Sequence, residues 1–305
     1  MAFLSLLAAL VLEQLRPLDA RRYVLAPGVR FADFLAARFD DTRAASGVLA
    51  WCLAAGLPVL VTGGVYALLD QANPAAGWAL NVLVLYLTMG LRQFSHFFTD
   101  IHLALRMGEL DRVRALLGEW RGSPIEVAGA KELARLSIEQ AILHSYRYVF
   151  AVIFWFVLLP GPMGAVLYRL ASILDARWSA AASPGFARFA RRAAAAIDWL
   201  PQRLTAVCFA VVGNFEDALY CWRTRAAGWA DPASGILLAS ASGALGVRLG
   251  SRPAGDGMSS VRGDSEIGEE ADVEFLRSTI GLIWRTLVLL LLLALLAAVA
   301  GWAAH

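Results

Sequence analysis

EQAILHSYRYVFAVIFWFVLLPGPMGAVLYRLASILDAR, Glu139 to Arg177, decides the architecture. It enters an apolar run through charged residues, breaks at Pro160-Gly161-Pro162, and leaves through Tyr168, Arg169, Asp175 and Arg177. Neither apolar half, Tyr148 to Leu159 or Met163 to Leu174, reaches the ~20 residues that cross a bilayer as one helix. Together they read as a single kinked span or as a hairpin that dips in and returns. Broken helix at membrane depth is tolerated only where protein or a water-filled cavity satisfies the freed backbone groups. The functional centre is therefore expected here.

The chain around this stretch is too apolar for an ordinary soluble domain: 305 residues, 59% hydrophobic and only 17% charged. Composition thus predicts an integral membrane protein. The net charge of +2 comes with no basic cluster interleaved with aromatics, so nucleic acid is not an expected partner. Cys52, Cys208 and Cys221 lack metal-ligand spacing and read as buried small hydrophobes. The opening MAFLSLLAALVLEQLRPL has neither a basic n-region nor a small-residue cleavage pattern, and is expected to stay in the mature protein.

Working outward, residues 1 to 12 read as a marginal span. Arg16 to Arg43, with six arginines and four aspartates, reads as an amphipathic surface segment. Gly47 to Leu69 and Gly77 to Leu91 are predicted spans, the first carrying Gly56, Gly63 and Gly64 for close packing. Arg92 to Arg147 holds seven arginines and one lysine, and the positive-inside rule places it in the cytoplasm. Its apolar residues recur at helical spacing, Leu103, Leu110, Val113 and Leu117 and then Leu133, Leu136, Ile138 and Ile142. Leu204 to Val212 is too short to span alone. Ser251 to Glu270 reads as a disordered cytoplasmic linker, and Ile280 to Ala303 as a last span with Trp284 and Trp302 as interfacial anchors. The expected organisation is a membrane domain over 1–250, a linker over 251–275 and a transmembrane helix over 276–305. The fold class is all-α, a polytopic bundle with a re-entrant or broken helix and cytoplasmic amphipathic helices.

Charged constellations are few. Arg135, Glu139 and Arg147 lie roughly on one helix face, either as a wall gripping an anion or as a solvated ladder worth tenths of a kcal/mol per pair. Tyr168, Arg169, Asp175 and Arg177 beside the break are functional candidates by default, or a helix emerging into headgroups with Arg169 snorkelling. In IDWLPQRLTA, Asp198 is placed to cap a helix opening at Leu200 or Pro201. His96 and Asp100 are four apart, with His102 near, but too few for a metal. No phosphate loop, nucleophile elbow or paired-histidine zinc motif occurs.

Four blocks carry a resemblance: Glu132 to Glu139 (ELARLSIE), Tyr168 to Asp175 (YRLASILD), Asp198 to Ala206 (DWLPQRLTA) and Gly243 to Gly250 (GALGVRLG). At these residues the chain resembles the membrane superfamily uniting the cobalamin-pathway proteins CobD and CbiB (adenosylcobinamide-phosphate synthase) with AmpE, a protein associated with β-lactamase induction. The resemblance covers roughly 1 to 250. The ligases of that superfamily carry an asparagine and an aspartate where this chain has His144 and Arg147. They also carry an asparagine and a glutamate where it has Ala233 and Leu238, and their Gly-Arg-Asp-Thr element has no counterpart in GEWRGSPIEV. Amide formation with ATP needs carboxylates to hold magnesium, and these replacements remove such ligands.

The leading expectation is therefore an AmpE-like, non-ligase binder or signalling component of a bacterial inner membrane, tied to envelope status or β-lactam response. Its site is expected at Glu139, Arg147, Arg169, Asp175, Asp198 and Arg203, with the arginines holding an anionic small molecule and the carboxylates orienting them. No catalytic residue, metal or cofactor is expected, the lipid bilayer is an expected partner, and the oligomeric state stays open. The enzyme alternative is an adenosylcobinamide-phosphate synthase using magnesium and ATP. A small-molecule transporter ranks third, because no internal repeat is evident.

Overall fold

Helices form here where apolar side chains recur at helical spacing or in long apolar runs, and they stop where the backbone chemistry changes. Asn73 caps one by accepting from the Ala75 amide at 2.9 Å, with Pro74 at its first position. Asn214 caps another through the Asp217 amide, and Gly122, at φ +75°, closes a third in the left-handed region. The computed structural model describes residues 2–15, 26–41, 44–127, 129–229, 231–250 and 268–303. Among these the fold is all-α, as expected, with one isolated bridge between Val247 and Glu269. The chain divides into two units interleaved in sequence: unit 1 is 1–93, 147–201 and 290–305, and unit 2 is 94–146 and 202–289.

Unit 1 contains α1 (Ala2–Leu15), α2 (Ala26–Phe39), α3 (Ala44–Trp51), α4 (Leu57–Ala72) and α5 (Pro74–Thr88). α6 (Leu91–Arg106), α7 (Leu110–Arg121) and α8 (Ala130–Ser145) follow, α6 beginning at the boundary of unit 2 and the other two lying within it. The chain then returns to unit 1 through α9 (Ala151–Leu158), α10 (Met163–Ala181) and the first part of α11 (Pro184–Val212). Its core gathers Trp178, Phe186, Leu174 and alanines of α2, α3 and α11. The rings of Trp178 and Phe186 are 4.7 Å apart, and the Trp178 indole donates to the Ala32 carbonyl at 3.0 Å.

The decisive stretch is a hairpin. Leu159 is extended and Gly161 sits at φ +63°, a conformation glycine adopts without penalty. α10 then packs back on α9 so closely that a Cβ on Gly164 would lie 1.9 Å from the Trp155 carbonyl oxygen. One expectation is corrected: the first apolar half is not short. α8, the π-turn Tyr146–Phe150 and α9 form a continuous helix from Ala130 to Leu158, 29 residues, roughly 40 Å at 1.5 Å per residue. The charges of its first turns had concealed its length.

Three further helices are long and apolar enough to cross a bilayer, Ala45–Ala72, Pro184–Val212 and Val273–Ala300. Leu204 to Val212 is thus the end of α11, which carries Pro201 inside it, and Asp198 lies within that helix rather than at the start of one. Conversely, the span expected at Gly77 to Leu91 is α5, only 15 residues, and Met89 is extended. Of the three glycines of the first span, only Gly63 meets a neighbour, Met163 of α10. Cys208 and Cys221 are buried as expected, but Cys52 is exposed on its span. Leu57, Leu60, Val61 and Leu68 of α4 are likewise exposed, the pattern of a helix facing lipid.

In unit 2, α7 and α8 pack through the predicted faces: Val113, Leu117, Leu133, Ile138 and Ile142 are buried, whereas Leu103 is exposed. α12 (Phe215–Arg225) lies against α13 (Pro232–Leu245), where Gly243 admits the Asp217 carbonyl. The last helix is α14 (Val273–Ala303). Most of the predicted linker, 251–267, falls outside the described residues.

Candidate functional site

Each unit holds a polar cavity. That of unit 1, about 470 Å³, is walled largely by the hairpin's return helix and receives Arg147, Arg169, Asp175 and Asp198, four of the six residues expected from sequence. Helical spacing explains the grouping: Tyr168, Arg169, Ser172, Asp175 and Ala176 fall within about two and a half turns of α10.

Arg169 is only 5% exposed. One terminal nitrogen donates to the Thr88 carbonyl at 2.5 Å, and its guanidinium lies 4.2 Å over the Tyr148 ring. Its Nε, and the hydroxyl of the buried Tyr168, have no hydrogen-bond partner. Each such buried donor costs about 1–3 kcal/mol. Arg177 grips Asp33 with two hydrogen bonds, at 2.5 and 3.0 Å, and this pairing raises its pKa above the ordinary arginine value. Asp175 accepts from Ser179.

The cavity of unit 2 is larger, about 950 Å³, and was not foreseen as a site. Four separated segments close it. α8 supplies Lys131, Glu132 and Arg135, the end of α12 supplies Thr224 and Arg225, and α13 and the turn after it supply Ser242 and Arg248. Glu270 comes from the far side of the undescribed stretch. Its place is set by backbone pairing: Arg248 N donates to the Glu269 carbonyl at 2.8 Å, and Glu269 N to that of Gly246 at 2.9 Å. Glu270 then meets Lys131 at the exposed rim, and this hydrogen bond and charge hold its carboxyl below the ordinary value.

Glu139 acts behind this cavity. It accepts from Arg135 at 2.6 Å and from the Gly250 amide at 2.8 Å, tying the ELARLSIE segment to the GALGVRLG segment. Arg135 also pairs with Glu132. Of the predicted six residues, then, Glu139 is a support in unit 2, and Arg203 lines neither cavity. Lys131, Arg225, Arg248 and Glu270 were missed. Glu132, Arg135 and Arg248 stood in the quoted blocks, but Glu270 sat in the presumed linker and carried no local signal.

Three of the four positions read as lost magnesium ligands lie elsewhere. His144 is buried and paired with the Trp120 indole at 3.2 Å, Leu238 is in the core, and Arg147 lines the unit 1 cavity. Ala233 falls in the first turn of α13. Their identity therefore leaves the carboxylates of the unit 2 cavity, Glu132 and Glu270, in place. His96 and Asp100 pair at 3.2 Å on the surface, and among the described residues no three His, Cys, Asp or Glu gather as a metal set.

Comparison with known proteins agrees with these blocks. The family model "CobD/Cbib protein" matches residues 9–283. The chain is 32% identical to a protein of Stutzerimonas stutzeri over 98% of both chains, and that relative is named cobalamin biosynthesis protein CobD. A protein of the same name from Chromobacterium violaceum is 35% identical over 60% of this chain and 62% of its own. Cobalamin biosynthesis protein CbiB of Salmonella typhimurium is 25% identical over 69% and 68%. No solved structure matches. These names overturn the expected AmpE-like signalling component: the relatives are named as cobalamin biosynthesis proteins, and His144, Arg147 and Leu238, which pointed away from them, are not among the residues of the unit 2 cavity. With a model match over nearly the whole length and a full-length relative at 32% identity, the chain belongs to the CobD/CbiB family.

Proposed function

We propose that this chain is a cobalamin-biosynthesis enzyme of the amide-forming, adenosylcobinamide-phosphate synthase type, working in a bacterial inner membrane. The observation that carries the reading is the junction of the ELARLSIE and GALGVRLG segments around the unit 2 cavity. Four cations, Lys131, Arg135, Arg225 and Arg248, line it against two carboxylates, Glu132 and Glu270. That balance suits a phosphate-bearing substrate.

The same donor set fits a magnesium–nucleotide. Magnesium takes one or two protein carboxylates and completes its shell with phosphate oxygens and water, so Glu132 and Glu270 would hold it while Lys131, Arg225 and Arg248 face the phosphates. When bound, the group activates the acid and neutralises phosphoryl charge. The chain's own residues orient the reactants. Arg135, held between Glu132 and Glu139, fixes the α8 wall, and the Glu139 contact to Gly250 fixes the turn opposite.

The test is complementation of a cobalamin-pathway mutant lacking the synthase, followed by assay of the purified full-length protein with cobyric acid, an amino-alcohol phosphate, ATP and magnesium. Growth together with amide product is the expected result. Absence of both from a folded, membrane-inserted protein would sink the assignment.

A further inference from the structure

We propose that the unit 1 cavity is a second ligand site, taking the singly charged oxyanion of a carboxylate or a phosphodiester against Tyr168 and Arg169. Two buried donors without acceptors, the Tyr168 hydroxyl and Arg169 Nε, belong to neighbouring residues that line one cavity of about 470 Å³. Neither group is loose. Arg169 is clamped by the Thr88 carbonyl and stacked on Tyr148, which fixes the guanidinium plane and leaves its Nε edge for an acceptor. The Ser172 hydroxyl is spent on the Tyr168 carbonyl, at 2.9 Å.

The surrounding charges limit what enters. Arg147 adds a second cation, and Arg177 is already engaged by Asp33. Asp175 and Asp198 line the same cavity, Asp198 acts electrostatically on Tyr168, and Glu13 acts on Arg169. These three acids outnumber the two cations, so a dianion is repelled, and a singly charged acceptor is held by hydrogen bonds to Tyr168 and Arg169 rather than by net charge. A carboxylate or a phosphodiester satisfies that, whereas a dianionic phosphate monoester does not. The site is distinct from the proposed reaction cavity and does not rest on that reading.

The full-length protein in maltoside micelles is titrated with acetate and, separately, with phosphatidylglycerol, following thermal stability and, by native mass spectrometry, bound ligand. Saturable acetate binding assigns a soluble carboxylate, and saturable phosphatidylglycerol binding assigns a lipid headgroup; either supports the proposal. Tyr168→Phe removes one hydroxyl and keeps the ring, and weakens binding about tenfold. Arg169→Lys keeps the charge, loses Nε and is read in the same titration, so a poorly folding variant at one position leaves the other to decide. Binding that persists unchanged in both variants overturns the site, as does no saturable binding of either probe. Loss of binding in Arg248→Gln but not in Tyr168→Phe places the anion in unit 2 and overturns it too. Because the readout is binding, failure of the ligase assignment is registered separately.

Discussion

The two cavities are built in opposite ways. In unit 1 the polar groups come mostly from one helix of a tight hairpin, and two of them, Tyr168 and Arg169, are deeply buried with a donor unsatisfied. In unit 2 they come from four separate segments, with Lys131 and Glu270 at the exposed rim, and include the pairs Lys131–Glu270 and Arg135–Glu132. A preorganised, buried donor pair selects a small group by desolvation and geometry. A wide, cation-rich cleft gathers a larger charged substrate and needs only approximate placement of each charge. One chain thus carries two polar cavities built on different plans.

The contrast breaks most readily at the hairpin. Gly164→Val places a side chain against the Trp155 carbonyl, where even a Cβ has only 1.9 Å, and is expected to lower stability by about 3 kcal/mol. Denaturation in detergent measures this, and a variant as stable as the parent would show that the α9–α10 contact does not set the cavity wall. Next is Glu139→Leu. It strips a partner from Arg135 and from the Gly250 amide and is expected to cost about 2 kcal/mol, with complementation falling in parallel. Glu139→Gln should recover part of both, since it keeps an acceptor.

Arg248→Gln sharpens the comparison from the other side. If unit 2 handles phosphate, kcat/KM falls about tenfold or more, a loss of roughly 1.4 kcal/mol in transition-state binding, while stability stays within about 0.5 kcal/mol. Equal activity would remove this arginine from the reaction cavity. The smallest effect belongs to the rim pair. Glu270 has its carboxyl held below the ordinary value of 4.5 by the Lys131 hydrogen bond and charge. The stabilisation is therefore complete above that ordinary value and is lost as pH falls through the depressed one. Melting curves of the parent and Glu270→Gln should converge on acidification, and a gap that widens instead would contradict the pairing.

Much of unit 1 was legible because helical spacing alone puts Tyr168, Arg169, Ser172 and Asp175 on neighbouring turns, and Pro160-Gly161-Pro162 announces the reversal. Arg147 and Asp198 could be added only as charges in nearby apolar runs, yet they do line the cavity. Asp198 was misread as a cap because Pro201 reads as a helix start, whereas it sits inside a 29-residue helix whose alanine-rich first half has no long apolar run. In unit 2, Glu132 and Arg248 were visible as members of blocks but not as neighbours of Glu270.

By itself, then, the sequence determined that this is an all-helical membrane protein with a broken helix, and it placed the chain in its family through four short blocks. Composition and periodicity are local properties, so they survive being read along a line. Which blocks face a common space was decided by tertiary structure alone. Backbone hydrogen bonds tie Gly246 and Arg248 to Glu269 across 251–267, and Glu139 reaches Gly250 across 111 positions. No spacing rule encodes a contact whose two ends are joined only by the path of the intervening chain.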